Sequence, residues 1–215
     1  MKLNAEKCNF MIFSRSKTNF TTRLSINNSK LDRISVIKLL GLWVSEDLSW
    51  DQNTKNICRR AYFRISMLTK LRYVGVSTKD LIETYVLFIR SVTEYCAVAF
   101  HSSLTIEQTT DIERIQKTCL KIILNEEYTS YSAALELTGL QTLKDRREKR
   151  CLNFARKCVK HPTNKRFFPL NKNLNLDNNI RNREKFTVNY ARTAAYERSA
   201  IPYCQRLLNS YYSSL

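Results

Sequence analysis

The sequence predicts a mainly α-helical protein with a small antiparallel β element at its N-terminal end. Three observations carry that expectation. Glycine and proline, the punctuation of tight-turned β folds, number only three each in 215 residues. From Asp51 onward the apolar residues step by three or four, as Ile57, Ala61, Ile65, Leu68 and Leu71 do. A 43% hydrophobic content with 11% aromatic residues is also enough to bury a core that offsets chain entropy.

Before Asp51 the pattern is that of strands. Residues 10–13 are apolar, residues 23–26 alternate, Asn27, Asn28, Ser29 and Lys30 form a polar turn, and residues 34–40 return as an apolar run. Gly41 interrupts that run between Leu40 and Leu42, where a hairpin would bend. The first helix then carries Arg59, Arg60, Arg64 and Lys70 off its apolar face. After Gly75, Ser77 can cap a second helix, with Asp80 at the favourable end of its dipole. Residues 81–100 are the most apolar stretch, but Glu83, Arg90 and Glu94 break it, so it reads as a buried helix and not a membrane span. Thr105 with Gln108 has capping-box spacing and opens a helix through Ile112, Ile115, Cys119, Ile122 and Ile123. A short helix over residues 132–137 should stop at Gly139. Thr142 and Asp145 then open a longer one that ends before Pro162. Residues 171–182, rich in Asn, make the best linker, and a last helix has Pro202 in its first turn and runs to Tyr211. Three regions follow: residues 1–50, a helical bundle over 51–125, and a basic helical region over 126–215.

The balance of 36 Lys and Arg against 19 Asp and Glu gives a formal charge of +17, and residues 141–192 hold 15 basic against 4 acidic side chains. Such an excess calls for an anionic partner, and phosphate backbones release counterions when neutralised. On the helix after Thr142, the basic residues Lys144, Arg146, Arg147, Lys149, Arg150, Arg156, Lys157 and Lys160 are expected to form a cationic face. Leu143, Leu152, Phe154, Ala155 and Val159 are expected to face the core. The seven cysteines are spread evenly, and the first residues have no apolar signal core. Reduced thiols and an intracellular location, nuclear or cytoplasmic, are the expectation, with no secretion and no membrane partner. Cys151, Cys158, His161 and Cys204 lack the spacing of a metal site, and the cysteines read as core residues. No metal site and no Gly-rich phosphate loop is expected in this chain. No adjacent Asp-Asp pair exists, so the carboxylate pair of a two-metal nucleotidyl transferase is absent from the sequence.

Asn4, Lys7, Met11 and Phe13 fit an Asn-x-x-Lys-x-x-x-Met-x-Phe pattern. Downstream come Lys38-Leu39-Leu40-Gly41-Leu42-Trp43-Val44, then Leu48-Ser49-Trp50, then Tyr85, Ile89-Arg90-Ser91-Val92 and Tyr95, then Ile112-Glu113-Arg114-Ile115-Gln116. This ordered series, closed by Arg198-Ser199-Ala200-Ile201-Pro202 with Leu208-Asn209, resembles the C-terminal palm and thumb of non-LTR retrotransposon reverse transcriptases of the jockey and related clades. The chain departs from that pattern at Ser45, where an Asp is common, and it contains no Tyr-x-Asp-Asp box. The resemblance implies a palm-end remnant over 1–50 and a thumb-like bundle over 51–125. It also implies a catalytically incomplete fragment of an RNA-directed DNA polymerase that binds RNA or DNA template–primer. Lys7 would be the acid for the pyrophosphate leaving group, and Leu40, Gly41 and Leu42 would be a primer-grip-like hairpin. Arg59, Arg60 and Arg64 would contact phosphates beside the basic helix. Magnesium is expected only with the catalytic palm, and the rest of the polymerase and an endonuclease are possible partners. One side of the N-terminal sheet should then expose apolar residues. Two other readings compete: a host-retained nucleic-acid-binding module, and a helical scaffold for acidic partners.

Overall fold

The computed structural model describes residues 4, 8–14, 23–171 and 185–214. Lys7 and most of the proposed linker at 171–182 lie outside the described residues. The protein is mainly α, with the strands among the described residues confined to the N-terminal part, and divides into two compact units, Met1–Asn56 and Ile57–Leu215.

Among its described residues the first unit holds three separate two-stranded pairs in place of the single sheet expected. β1 (Asn9–Phe10) runs parallel to β4 (Asp32–Arg33), while β2 (Ser25–Ile26) and β3 (Ser29–Lys30) form an antiparallel hairpin. Asn27 and Asn28 both have positive φ, at 50° and 62°, the conformation a two-residue hairpin loop demands and Asn tolerates. β5 (Val36–Leu39) pairs antiparallel with β6 (Leu42–Ser45), Ile37 opposite Val44 and Lys38 opposite Trp43. Its loop is Leu40 and Gly41 at φ 46° and 88°. Gly41 adopts that conformation freely; Leu40 does so at a strain on the order of 1–3 kcal/mol. Phe13, Leu24, Leu39 and Leu40 are exposed, and of these only Leu39 lies in a strand.

The second unit is helical. α1 (Asp51–Tyr73) buries Ile57, Ala61, Ile65 and Leu68, the stripe its periodicity specifies. Gly75, at φ 83°, ends it: Gly75 N donates to Arg72 O and Val76 N to Leu71 O, which satisfies two free carbonyls. Ser77 caps α2 (Thr78–Thr84) by accepting from Asp80 N. The chain continues through a π-helical turn at Tyr85–Ile89 into α3 (Arg90–Glu94). The apolar stretch is not one helix to residue 100. It breaks at Tyr95 and at Cys96, which is left-handed with φ 50°, and resumes as α4 (Ala97–Phe100). The break turns Ala97 and Phe100 inward while leaving Leu87, Phe88 and Tyr95 exposed.

α5 (Ile106–Leu124) carries the complete capping box of Thr105 and Gln108. Its stripe Ile112, Ile115, Cys119, Leu120 and Ile123 is buried. α6 (Tyr131–Thr138) ends at Gly139, φ 65°, by the same pair of carbonyl-satisfying bonds that closes α1. α7 (Leu143–Lys160) starts at the Thr142 cap, and α8 (Ala194–Glu197) and α9 (Ala200–Ser213) complete the unit. Between α7 and α9 lies a core of Cys151, Ala155, Cys158, Phe168, Phe186, Cys204 and Leu208. Two amides of α9 act there as surrogate backbone. Asn209 accepts from Phe186 N at 2.8 Å and donates to Phe186 O at 2.9 Å, and Gln205 accepts from Asn189 N and donates to Phe167 O. No helix among the described residues is long and apolar enough to cross a membrane.

A chain of buried and part-buried hydrogen bonds fixes α5, α6 and α7 to one another. Tyr85 Oη donates to Gln116 Oε1, and Gln116 Nε2 donates to Tyr131 Oη at 2.9 Å and to Gln141 O at 3.0 Å. Tyr131 Oη donates to Glu113 Oε1, and both carboxylate oxygens of Glu113 accept the free amides of Leu143 and Lys144 at the start of α7. Replacing Gln116 by Leu strands several of these groups inside the protein. The Gln116→Leu variant should lose about 2–3 kcal/mol in urea denaturation, well above the cost of an exposed glutamine-to-leucine change.

Candidate nucleic-acid interface

Helix α7 has eight basic and two acidic residues among its 18. What decides its surface is which of them reach solvent. Leu143, Arg147, Cys151, Ala155 and Cys158 are buried, a stripe of four- and three-residue steps. The opposite stripe is Lys149, Asn153, Arg156 and Lys160, all exposed, spanning about 16 Å at 1.5 Å per residue. Asn153, Arg156, Lys157 and Lys160 line an open groove of about 260 Å³. Beside it, the Arg156 guanidinium lies 5.0 Å from the centre of the Tyr211 ring and the Lys185 ammonium 3.9 Å from that of Tyr212, both tyrosines on α9. Asn153 was not among the residues singled out from the sequence; its spacing from Lys149 and Arg156 was the available signal.

The expected division of α7 therefore needs correcting in two places. Phe154, expected in the core, is 39% exposed even though the 100° step per residue places it between buried Leu143 and Arg147 around the helix. Arg147, expected on the cationic face, is fully buried and cannot contact a phosphate. Its position on the inner stripe places it inside despite its charge. Arg147 Nε donates to His101 Nδ1 at 3.4 Å, while its two terminal nitrogens have no hydrogen-bond partner among the described residues. Burial lowers the Arg147 pKa, and the charges of Glu113 and Glu94 oppose that shift. Because His101 Nδ1 accepts, its proton sits on Nε2, which faces Tyr203 Oη at 3.3 Å. Leu152 and Val159 flank the core half-buried, and Leu143 and Ala155 are inside as expected.

Two more arginines of the expected face are committed elsewhere. Glu94, only 3% exposed, accepts from Arg146 Nε, from a terminal Arg146 nitrogen at 3.1 Å and from Arg150 at 2.6 Å, with Arg90 at 3.7 Å. Burial alone would raise the Glu94 pKa. The Arg146 hydrogen bond and the charges of Arg146, Arg150 and Arg90 outweigh it and hold the carboxyl below its ordinary value. Arg150 remains half-exposed and Arg146 less so. Lys144, Lys149, Arg150, Arg156, Lys157 and Lys160 are thus the α7 cations that face solvent, Arg150 while also bound to Glu94.

Outside α7, Arg59 and Arg60 are exposed on α1. Arg64 is half-buried; it donates to Phe88 O and sits 4.4 Å over the Phe88 ring. The hairpin residues Leu40, Gly41 and Leu42 form the β5–β6 tip, with Leu40 85% exposed and Leu42 half-buried. Cys151, Cys158 and Cys204 belong to the apolar core, and His161 is exposed, its Nδ1 facing the amides of Thr163 and Asn164.

His101 gives this region a pH signature. Burial, then the charges of Arg147 and Lys144, lower its pKa to about 4. The unfolded chain binds the proton more readily, so the contribution of neutral His101 is full above about pH 6.5 and is lost as pH falls towards about 4. Denaturation across that range should show a loss on the order of 2–3 kcal/mol, and a His101→Asn variant should lose that slope while its overall stability falls. Neither a family model, a curated protein nor a solved structure matches this chain.

Proposed function

We propose that this chain binds nucleic acid through the outward face of α7, as part of a protein resembling the C-terminal palm and thumb of a non-LTR retrotransposon reverse transcriptase. The observation that carries the binding is the exposed run of Lys149, Asn153, Arg156, Lys157 and Lys160, with no acidic residue among the groove-lining side chains. Cations along one helix face can neutralise backbone phosphates and release their counterions, and such contacts position without reading bases. The reverse-transcriptase reading rests on the ordered motif series from Asn4 to Asn209, with the hairpin at Leu40–Gly41 as its primer-grip-like element.

Magnesium-dependent polymerisation does not belong to this chain in that reading. The sequence offers no adjacent aspartate pair. The acidic residues nearest the helical core, Glu94 and Glu113, are taken up by guanidinium groups and backbone amides. Two-metal transfer needs carboxylates free to face metal ions, which supports leaving it to a catalytic palm with its own aspartate pair.

Two experiments test this. Fluorescence anisotropy with duplex and single-stranded oligonucleotides should give a logarithm of affinity that falls linearly with the logarithm of salt, at about −0.9 per duplex phosphate neutralised. Replacing Lys149, Arg156, Lys157 and Lys160 together by Gln should flatten that slope by roughly 2–4 units for all sequences alike, with circular dichroism unchanged. An unchanged slope in the folded variant removes α7 from the interface. The purified 215-residue chain should not extend a primed RNA or DNA template with magnesium or manganese, and extension that survives stringent purification overturns the incomplete-polymerase reading.

A further inference from the structure

We propose that the outer face of α1 and the adjoining π-helical turn form a docking surface for an acidic, amphipathic segment of a partner protein. On α1, Arg60, Phe63, Arg64 and Met67 fall at helical spacings of three and four residues and so share one face. Phe63 is 82% exposed and Met67 39%. Arg64 bridges to the π-helical turn, its guanidinium on both the carbonyl and the ring of Phe88. There Phe88 is 41% exposed and its chain neighbour Leu87 72%. The Arg60 charge reaches across this face: after burial it is the second cause lowering the Arg64 pKa, and it opposes the rise that Cys96 imposes on Tyr95. Apolar side chains of this size grouped in the open are a feature of interaction surfaces, and single π-helical turns recur at functional sites.

The chemistry of the face selects its occupant. Aromatic residues, Met and Arg are the side chains enriched in the cores of protein interfaces. Met67 and Leu87 offer neither a ring to stack on a base nor a donor for a phosphate, and the most central cation, Arg64, is already engaged with Phe88. A nucleic-acid backbone would leave the aliphatic groups in water. From Ile57 to Tyr73, α1 carries five basic residues and no acidic one. A complementary partner therefore presents apolar residues at i, i+3, i+4 and i+7 flanked by Asp or Glu. This inference stands apart from the nucleic-acid reading of α7 and does not depend on it.

The test uses the full chain and a fluorescent synthetic peptide of about 18 residues, roughly five helical turns, with leucines on one face and glutamates on the other. A peptide of the same composition with the leucines scattered is the control. The aligned peptide should bind at least about tenfold tighter than the control, and Phe63→Ser with Met67→Ser should abolish that difference. Arg60→Glu, at an exposed site, should weaken the aligned peptide and serves as the second variant if the double substitution lowers stability. The four-glutamine α7 variant should bind the aligned peptide as the wild type does. Equal binding of the two peptides overturns the proposal. So does a loss of oligonucleotide affinity in the Phe63→Ser, Met67→Ser variant, which would make the face a nucleic-acid surface. Concentration-dependent dimerisation abolished by the same variant would make a second copy the occupant and likewise overturn it.

Discussion

The buried Glu94 carboxylate ties α7 to α3 and thereby constrains the orientation of α7. A carboxylate at 3% exposure cannot stay ionised without partners, since desolvation opposes the charge. Arg90 lies on its own helix one turn back; Arg146 and Arg150 must be delivered by α7. Bringing both to one carboxylate sets the rotation of α7 about its axis. Everything else on that helix follows from the 100° step per residue: Leu143, Arg147, Cys151, Ala155 and Cys158 go inside, and Lys149, Asn153, Arg156 and Lys160 go outside. The cationic face is therefore a consequence of a buried ion cluster.

The same rotation explains the most expensive residue in the fold. Arg147 is carried into the interior, where His101 supplies a neutral acceptor and Glu113 and Glu94 supply opposing charge. His101 in turn faces Tyr203 on α9, with the two rings 5.7 Å apart, so the cation is linked to the last helix through two aromatic side chains. Glu113 does double service, capping α7 and closing the Tyr85–Gln116–Tyr131 chain. Buried polar networks of this kind are costly when any member is missing, which ties α5, α6, α7 and α9 to a single arrangement.

The two exposed basic surfaces of the helical unit differ in kind. On α7 the cations are lysines and an arginine lining an open groove, with the tyrosines of α9 stacked beneath Arg156 and Lys185. On α1 the arginines flank exposed Phe63 and Met67, and one of them is already spent on Phe88. Net charge alone does not separate these surfaces; the apolar content between the charges does, because it decides whether a phosphate backbone or an apolar helix face loses less by leaving water.

Local physics was legible in the sequence. The Thr105–Gln108 capping box, the Ser77 and Thr142 caps, the stops at Gly75 and Gly139, the stripe from Ile57 to Leu68 and the Asn27–Asn28 turn depend on neighbours within a few residues, and each is formed. So the mainly helical fold, with its strands before Trp50, was determined by the sequence itself. What only the tertiary structure decided depends on partners far away in the chain. The break at Cys96 has no glycine or proline to announce it. The parallel pairing of β1 with β4 joins strands too short to carry a pattern. The burial of Arg147 and the pairing of Arg146 and Arg150 with Glu94 involve contacts across 52 and 56 residues, and the exposure of Phe154 runs against its place in the helix period. Periodicity ranks residues by their own polarity, and a buried carboxylate that recruits arginines from a distant helix overrides that ranking by setting which side of the helix must face inward.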